Sequence, residues 1–113
     1  MRKKIEAIVG FADSEFISYQ RKVSEFRIWI DAWNNKRFKI SFLNFEALVD
    51  YGIGDISEFV EETQSNPFLE EVISLIYTSI PESHPYRIFQ FLDLDGRPSL
   101  EIIAADVNIV MES

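Results

Sequence analysis

Glu25-Phe26-Arg27-Ile28-Trp29-Ile30-Asp31-Ala32-Trp33-Asn34-Asn35-Lys36-Arg37-Phe38-Lys39-Ile40-Ser41-Phe42 is the stretch that decides the fold. Positions 26, 28, 30 and 32 are apolar, and so are 38, 40 and 42. Charged and polar residues, with two tryptophans, take the alternate places. A period of two belongs to a strand with one buried face. Two such runs about a pair of asparagines read as a hairpin, because asparagine tolerates positive φ. Pairing Ala32 with Phe38 sets Ile30 opposite Ile40 and Ile28 opposite Phe42, with Asn34-Asn35-Lys36 as the loop. It also sets Asp31 opposite Lys39 and Trp33 opposite Arg37. A shorter Asn34-Asn35 loop sets Ile30 against Lys39 and mixes the two faces, which a buried face forbids.

Working outward, Ile17 and Tyr19 supply a third strand, with Ile17 opposite Ile30, Tyr19 opposite Ile28 and a loop near Lys22 to Glu25. Phe16, Gln20 and Val23 also fit a helical stripe after Ser14, but the alternation of Ser18, Gln20 and Lys22 favours a strand. The result is a meander over 16–43. Before it, Ile5, Ala7, Val9 and Phe11 keep strand period up to a turn at Asp13-Ser14. After it, residues 44–51 fit either a short strand continuing Phe42 or one helical turn.

Gly52-Ile53-Gly54 breaks the chain. Asp55 with Glu58 makes a capping pattern and predicts a short helix over 56–62, with Ile56, Phe59 and Val60 on one side. Asn66-Pro67 starts the main helix, 67–80, with asparagine as N-cap, a wide apolar stripe and Pro81 at its end. Tyr86 to Ile103 reads as a hairpin around Asp95-Gly96. Leu94 then opposes Arg97, Phe91 pairs with Leu100, Phe89 with Ile102 and Gln90 with Glu101. Val107, Ile109 and Met111 give a last strand.

The fold class expected is therefore α+β in one domain, 1–113. It is a mainly antiparallel sheet of five to seven strands, the meander 16–43 plus the hairpin 86–103, with helices 67–80 and 56–62 packed on it. The isoleucines and phenylalanines of the meander should meet beneath the long helix. Phe16, Trp29, Trp33 and Leu43 lie on the opposite face. The hairpin, a helix or a second subunit is needed to cover some of it.

Composition narrows the function classes. The chain has 113 residues, 19 acids, 11 bases, one histidine and no cysteine, for a net charge of −8. Without cysteine there is no disulfide framework, thiolate metal site or cysteine nucleophile. The basic start, Met1 to Lys4, is followed by an apolar run broken by Glu6 and Gly10. That run is too short for a leader or a membrane span, so the expectation is a cytoplasmic protein with no membrane contact. Residues 1–45 hold nine bases and five acids, whereas residues 46–113 hold two bases and fourteen acids. Such an acidic excess repels phosphate backbones and argues against nucleic-acid binding.

No motif carries chemistry unaided. Gly52-Ile53-Gly54-Asp55 lacks the third glycine of a dinucleotide fingerprint, since position 57 is serine. Asp93-Leu94-Asp95-Gly96 resembles the middle of a calcium loop, but the first and last ligand positions fall on Phe91 and Ile102. Trp29 and Trp33 among Arg37 and Lys39 outline a single-strand platform on a chain of the wrong charge. No metal and no cofactor is implied. The reading that remains is a non-catalytic protein-binding module, like a small immunity or inhibitor protein. It would dock a basic partner on Glu58, Glu61, Glu62, Glu70 and Glu71. The alternative is a small ligand-binding or hydrolytic domain with a pocket near Glu82, His84, Asp93 and Asp95. A homodimer through the Trp29/Trp33 face is a third option.

Overall fold

The computed structural model describes residues 2–5, 10–63, 66–79, 81 and 83–112. Its elements are β1 (Arg2–Lys4), β2 (Ser14–Arg21), β3 (Glu25–Asp31), β4 (Arg37–Leu43), β5 (Ala47–Asp50), β6 (Asp55–Ile56), β7 (Glu58–Glu62), α1 (Pro67–Ile76), β8 (Arg87–Leu92), β9 (Pro98–Ala104) and β10 (Asp106–Met111). The strands form two five-stranded sheets, β1-β7-β8-β9-β5 and β10-β4-β3-β2-β6, with every pairing antiparallel. Among the described residues no helix is long and apolar enough to cross a membrane.

The alternation in β3 and β4 does bury one face, but against a second sheet rather than the helix. Phe26, Ile28 and Ile30 of β3 and Phe38, Ile40 and Phe42 of β4 share one buried cluster with Phe59, Phe89, Phe91, Leu100 and Ile102. The helix packs on the far side of that second sheet, where Phe68, Leu69, Val72 and Ile76 meet Ala47, Ile88 and Ile103. The order of layers is thus sheet, sheet, helix, and the middle sheet is buried on both faces.

That middle position corrects the short helix expected over 56–62, which is instead β6 and β7. Phe59 joins the core between the sheets, and its neighbour Val60 is equally buried. A strand covered on both sides loses its alternation, and in so short a run Ile56, Phe59 and Val60 mimic helical spacing. Asp55 is accordingly a strand residue, not an N-cap. The main helix starts where expected, with Asn66 Oδ1 accepting from the Phe68 and Leu69 amides. It stops at Ile76 rather than reaching 80, because Tyr77 turns extended and sets its ring against Tyr86. Ile80 lies outside the described residues.

Registers differ in informative ways. In the β3–β4 hairpin Ile30 lies opposite Phe38, Ile28 opposite Ile40 and Asp31 opposite Arg37, two residues away from the expected pairing. The turn is Trp33-Asn34-Asn35, closed by Ala32 N donating to Lys36 O at 2.9 Å, with Asn35 at φ +63°. A two-residue slip leaves every side chain on its face, so hydrophobic sorting alone cannot detect it. Trp29, not Trp33, therefore stands among the strand cations, opposite Lys39. In β2, Tyr19 pairs with Ile28 as expected, but a bulge at Ile17 brings Phe16 opposite Ile30 and packs Phe16 against the core. Of the two readings for residues 44–51 the short strand holds, as β5, but it does not continue β4. Asn44 adopts φ +53°, and the chain crosses to the other sheet as β5.

The β8–β9 hairpin keeps the pairs Phe91–Leu100, Phe89–Ile102 and Gln90–Glu101. Its turn is Leu94-Asp95-Gly96, with Gly96 at φ +75° and Asp93 N donating to Arg97 O, so Leu94 does not oppose Arg97. β10 forms as expected. The strand expected over Ile5 to Phe11 falls largely outside the described residues. Arg2–Lys4 pairs with β7, and Ile5 N donates to Phe59 O at 2.8 Å.

Candidate functional site: an acidic end of the sandwich

One end of the sandwich gathers the β5–β6 loop, the β8–β9 turn and the start of β2. Each loop is shaped by its own aspartate. Asp50 Oδ1 accepts from Gly52 N at 2.8 Å and Ile53 N at 3.1 Å, while its Oδ2 accepts from the Tyr19 hydroxyl at 3.0 Å. Burial pushes the Asp50 carboxyl up, but these three donors outweigh it and hold it below the ordinary carboxylate range. Gly52 takes φ +100°, a conformation that L side chains rarely adopt. In the turn, Asp93 Oδ1 accepts from Asp95 N at 2.9 Å and Arg97 N at 3.0 Å. Tyr51 N donates to Ser99 O, which ties the two loops together.

A shallow open cleft lies between them, lined by Tyr51, Gly52, Asp55, Asp93, Asp95 and Arg97 among others. Tyr51 is 60% exposed, and Leu94 on the rim is more exposed still. Beside the cleft, Asp55 of β6 sits directly opposite Glu15 of β2, and Glu15 sits opposite Asp31 of β3. Three carboxylates thus stand abreast on the outer face of one sheet. Among the described residues only Asp31 of the three has a cation, Arg37, whose Nε donates to Asp31 Oδ1 at 2.8 Å and whose guanidinium holds that carboxyl below its usual range. Like charges directly opposite in a ladder are destabilising. The sequence therefore keeps an unfavourable pair, Glu15 and Asp55, at an exposed edge.

The residues singled out from sequence are dispersed. Glu61 faces Arg87, with Nη1 donating to its Oε1 at 3.0 Å, and Glu62 lies 3.5 Å from Arg2 Nε. Both side chains are only 15% exposed and are held within the fold. Glu58 is half-buried on β7. Glu70 and Glu71 are exposed on α1, on a different layer from Glu61. His84 Nδ1 accepts from Tyr86 N at 3.2 Å and its ring stacks on Tyr86, before the start of β8. Asp93 and Asp95 lie beyond the other end of β8, which at ~3.3 Å per residue places them roughly 20 Å or more away. His84 and the two aspartates are not brought together among the described residues, and Glu82 lies outside those residues. Among the described residues no three His, Asp or Glu side chains are grouped to hold a metal.

The two tryptophans do not both lie on the strand face. Trp29 Nε1 donates to Glu112 Oε1 at 3.4 Å, and Trp33 stands in the turn. Arg27, Arg37 and Lys39 are matched by Glu25, Asp31 and Glu112. Sequence reasoning missed Tyr51 and Asp55 as neighbours of Asp93 and Asp95, and Glu15 as the partner of Asp55. The acidic, glycine-rich Asp50–Asp55 segment was a visible loop signal, but its partner across space was not.

No protein-family model, curated protein or solved structure matches the chain.

Proposed function

We propose that this domain is a non-catalytic protein-binding module that docks a basic partner on the acidic end of the sandwich. The observation that carries the reading is the Glu15–Asp55 pair, two carboxylates set opposite each other with no cation paired to either among the described residues, beside the Asp93–Arg97 turn. A partner's lysine or arginine relieves that repulsion on binding, so the strain becomes affinity. Tyr51 and Leu94 supply an exposed aromatic and an exposed aliphatic anchor within the acidic rim, the combination that concentrates binding energy in protein interfaces. Glu61 and Glu62 drop out as contacts because Arg87 and Arg2 already hold them. Glu70 and Glu71 stay as a separate, weaker acidic patch.

The test is affinity capture from the native host with the wild-type chain and with a Tyr51→Ala/Asp55→Lys/Asp95→Lys variant, at low and moderate salt. The expected result is a basic protein retained by the wild type, released by salt and bound at least about tenfold more weakly by the variant. Recovery of no basic partner, or equal retention by both chains, contradicts the proposal.

A further inference from the structure

Among the described residues each sheet ends in two edge strands, and three of the four edges are blunted. β1 is Arg2-Lys3-Lys4, three residues that are all cationic. β6 has two residues. β5 has four and ends in Asp50, whose carboxylate is tied to the loop and to Tyr19. β10 is different. It has six residues, Asp-Val-Asn-Ile-Val-Met, with no lysine, arginine or proline and an unbroken register against β4. Charged side chains, prolines, bulges and shortness are the usual protections of an edge, and beyond Asp106 at its start β10 carries none of them.

Its backbone polarity can be read from one bond. Glu112 N donates to Arg37 O at 2.8 Å, so the even-numbered residues turn their backbone groups toward β4. Ile109 and Met111 consequently direct N–H and C=O away from the sheet, while the Val107 N–H donates to Asp106 Oδ1 at 2.8 Å. Val110 is 40% exposed and Met111 43% exposed beside that edge.

We infer that β10 is the seam of a two-fold homodimer, in which the β10 of a second copy adds antiparallel and joins the two sheets into one. Symmetry restricts the register. A two-fold at Ile109 sets Asp106 against Glu112, a like-charge pair. A two-fold at Asn108 runs Met111 into Ala105, whose carbonyl already accepts from Arg87 Nε and Nη2. A two-fold at Val110 avoids both. Val110 then faces its own copy, Ile109 faces Met111, and Asn108 faces Glu112. This seam uses the strand edge and leaves the Trp29 face open to solvent.

Val110 on the axis occupies a non-hydrogen-bonded pair, whose Cα atoms approach within disulfide range. The chain has no cysteine of its own, so Val110→Cys is a clean reporter. Under mild oxidation at micromolar concentration, Val110→Cys should cross-link to a dimer, while Ser18→Cys, on exposed β2, should not. Sedimentation of the wild-type chain from micromolar to sub-millimolar concentration should show twice the 13.2 kDa mass. Val110→Glu, which places two carboxylates on the axis while facing Lys39 within its own sheet, should weaken association at least about tenfold without loss of thermal stability in the dilute chain. A wild-type chain that stays monomeric throughout overturns the inference. So does a dimer that neither Val110 variant affects.

Discussion

The Phe59 and Phe91 rings stack with centroids 4.3 Å apart and planes within 9° of parallel, directly opposite each other on β7 and β8. Around them Phe42, Phe89 and Phe11 add tilted and edge-on contacts, so the space between the sheets is filled largely by aromatic rings. Phe59→Ala should destabilise the fold by about 3–5 kcal/mol, and Phe59→Leu by much less, because the cavity it leaves is smaller. Urea unfolding of the two variants measures this. Equal small losses would mean that Phe59 is not central to the core.

On the helix side of the same sheet, Gln90 Nε2 donates to Glu101 Oε2 at 3.0 Å and the Tyr51 hydroxyl donates to Glu101 Oε1 at 2.9 Å. Gln90 is 3% exposed and Glu101 8% exposed, and Gln90 Oε1 has no partner. Glu101→Leu should cost about 1–3 kcal/mol, since it strands a buried amide. Gln90→Leu/Glu101→Leu should be less destabilised than the single variant, because an apolar pair has nothing left to satisfy. Denaturant midpoints decide it. A double variant worse than Glu101→Leu would contradict the expectation.

These two pairs also show what the sequence makes legible. Strands β3 and β4 could be read because they bury one face only, so alternation survived. The Phe91–Leu100 and Gln90–Glu101 pairs could be read because the Asp95-Gly96 turn anchors a local hairpin. β7 could not, because Phe59 and Val60 are both buried and the strand loses its period. The β3–β4 slip escaped because a two-residue shift moves no side chain to another face. The acidic end escaped for a different reason. Glu15 and Asp55 are forty residues apart, and only the β2–β6 pairing brings them together.

The pH dependence of stability follows from two sets of groups. Asp50 and Asp31 lie below the ordinary 3.8 in the folded chain, so the stability they contribute is full above that value and lost as pH falls through the folded-state range. The difference in unfolding free energy between wild type and Asp50→Asn should therefore shrink between about pH 5 and pH 3. Tyr19 is raised above 10.0 chiefly by its hydrogen bond to Asp50, Tyr51 by its bond to Glu101, and Tyr86 by burial and then by Glu46. Their contribution is present below pH 10.0 and lost as pH rises through their folded-state values. Phenolate absorbance of Asp50→Asn should show Tyr19 ionising earlier than in wild type. An unchanged titration would count against the Tyr19–Asp50 bond.

At the hairpin tip, Asn35 holds φ +63°. Asn35→Ala should cost about 1 kcal/mol and Asn35→Gly close to nothing, because only a residue with a side-chain Cβ resists that conformation. Thermal unfolding of the two variants distinguishes them. Equal midpoints would remove the turn from the set of features that fix the β3–β4 register.

The docking proposal is tested most directly by following backbone amide shifts of the 113-residue chain during titration with a short lysine- and arginine-rich peptide. Shifts should concentrate at Glu15, at Tyr51 to Asp55 and at Asp93 to Arg97, and fade as salt is added. Shifts centred instead on Glu70 and Glu71, or spread evenly over the surface, would contradict it.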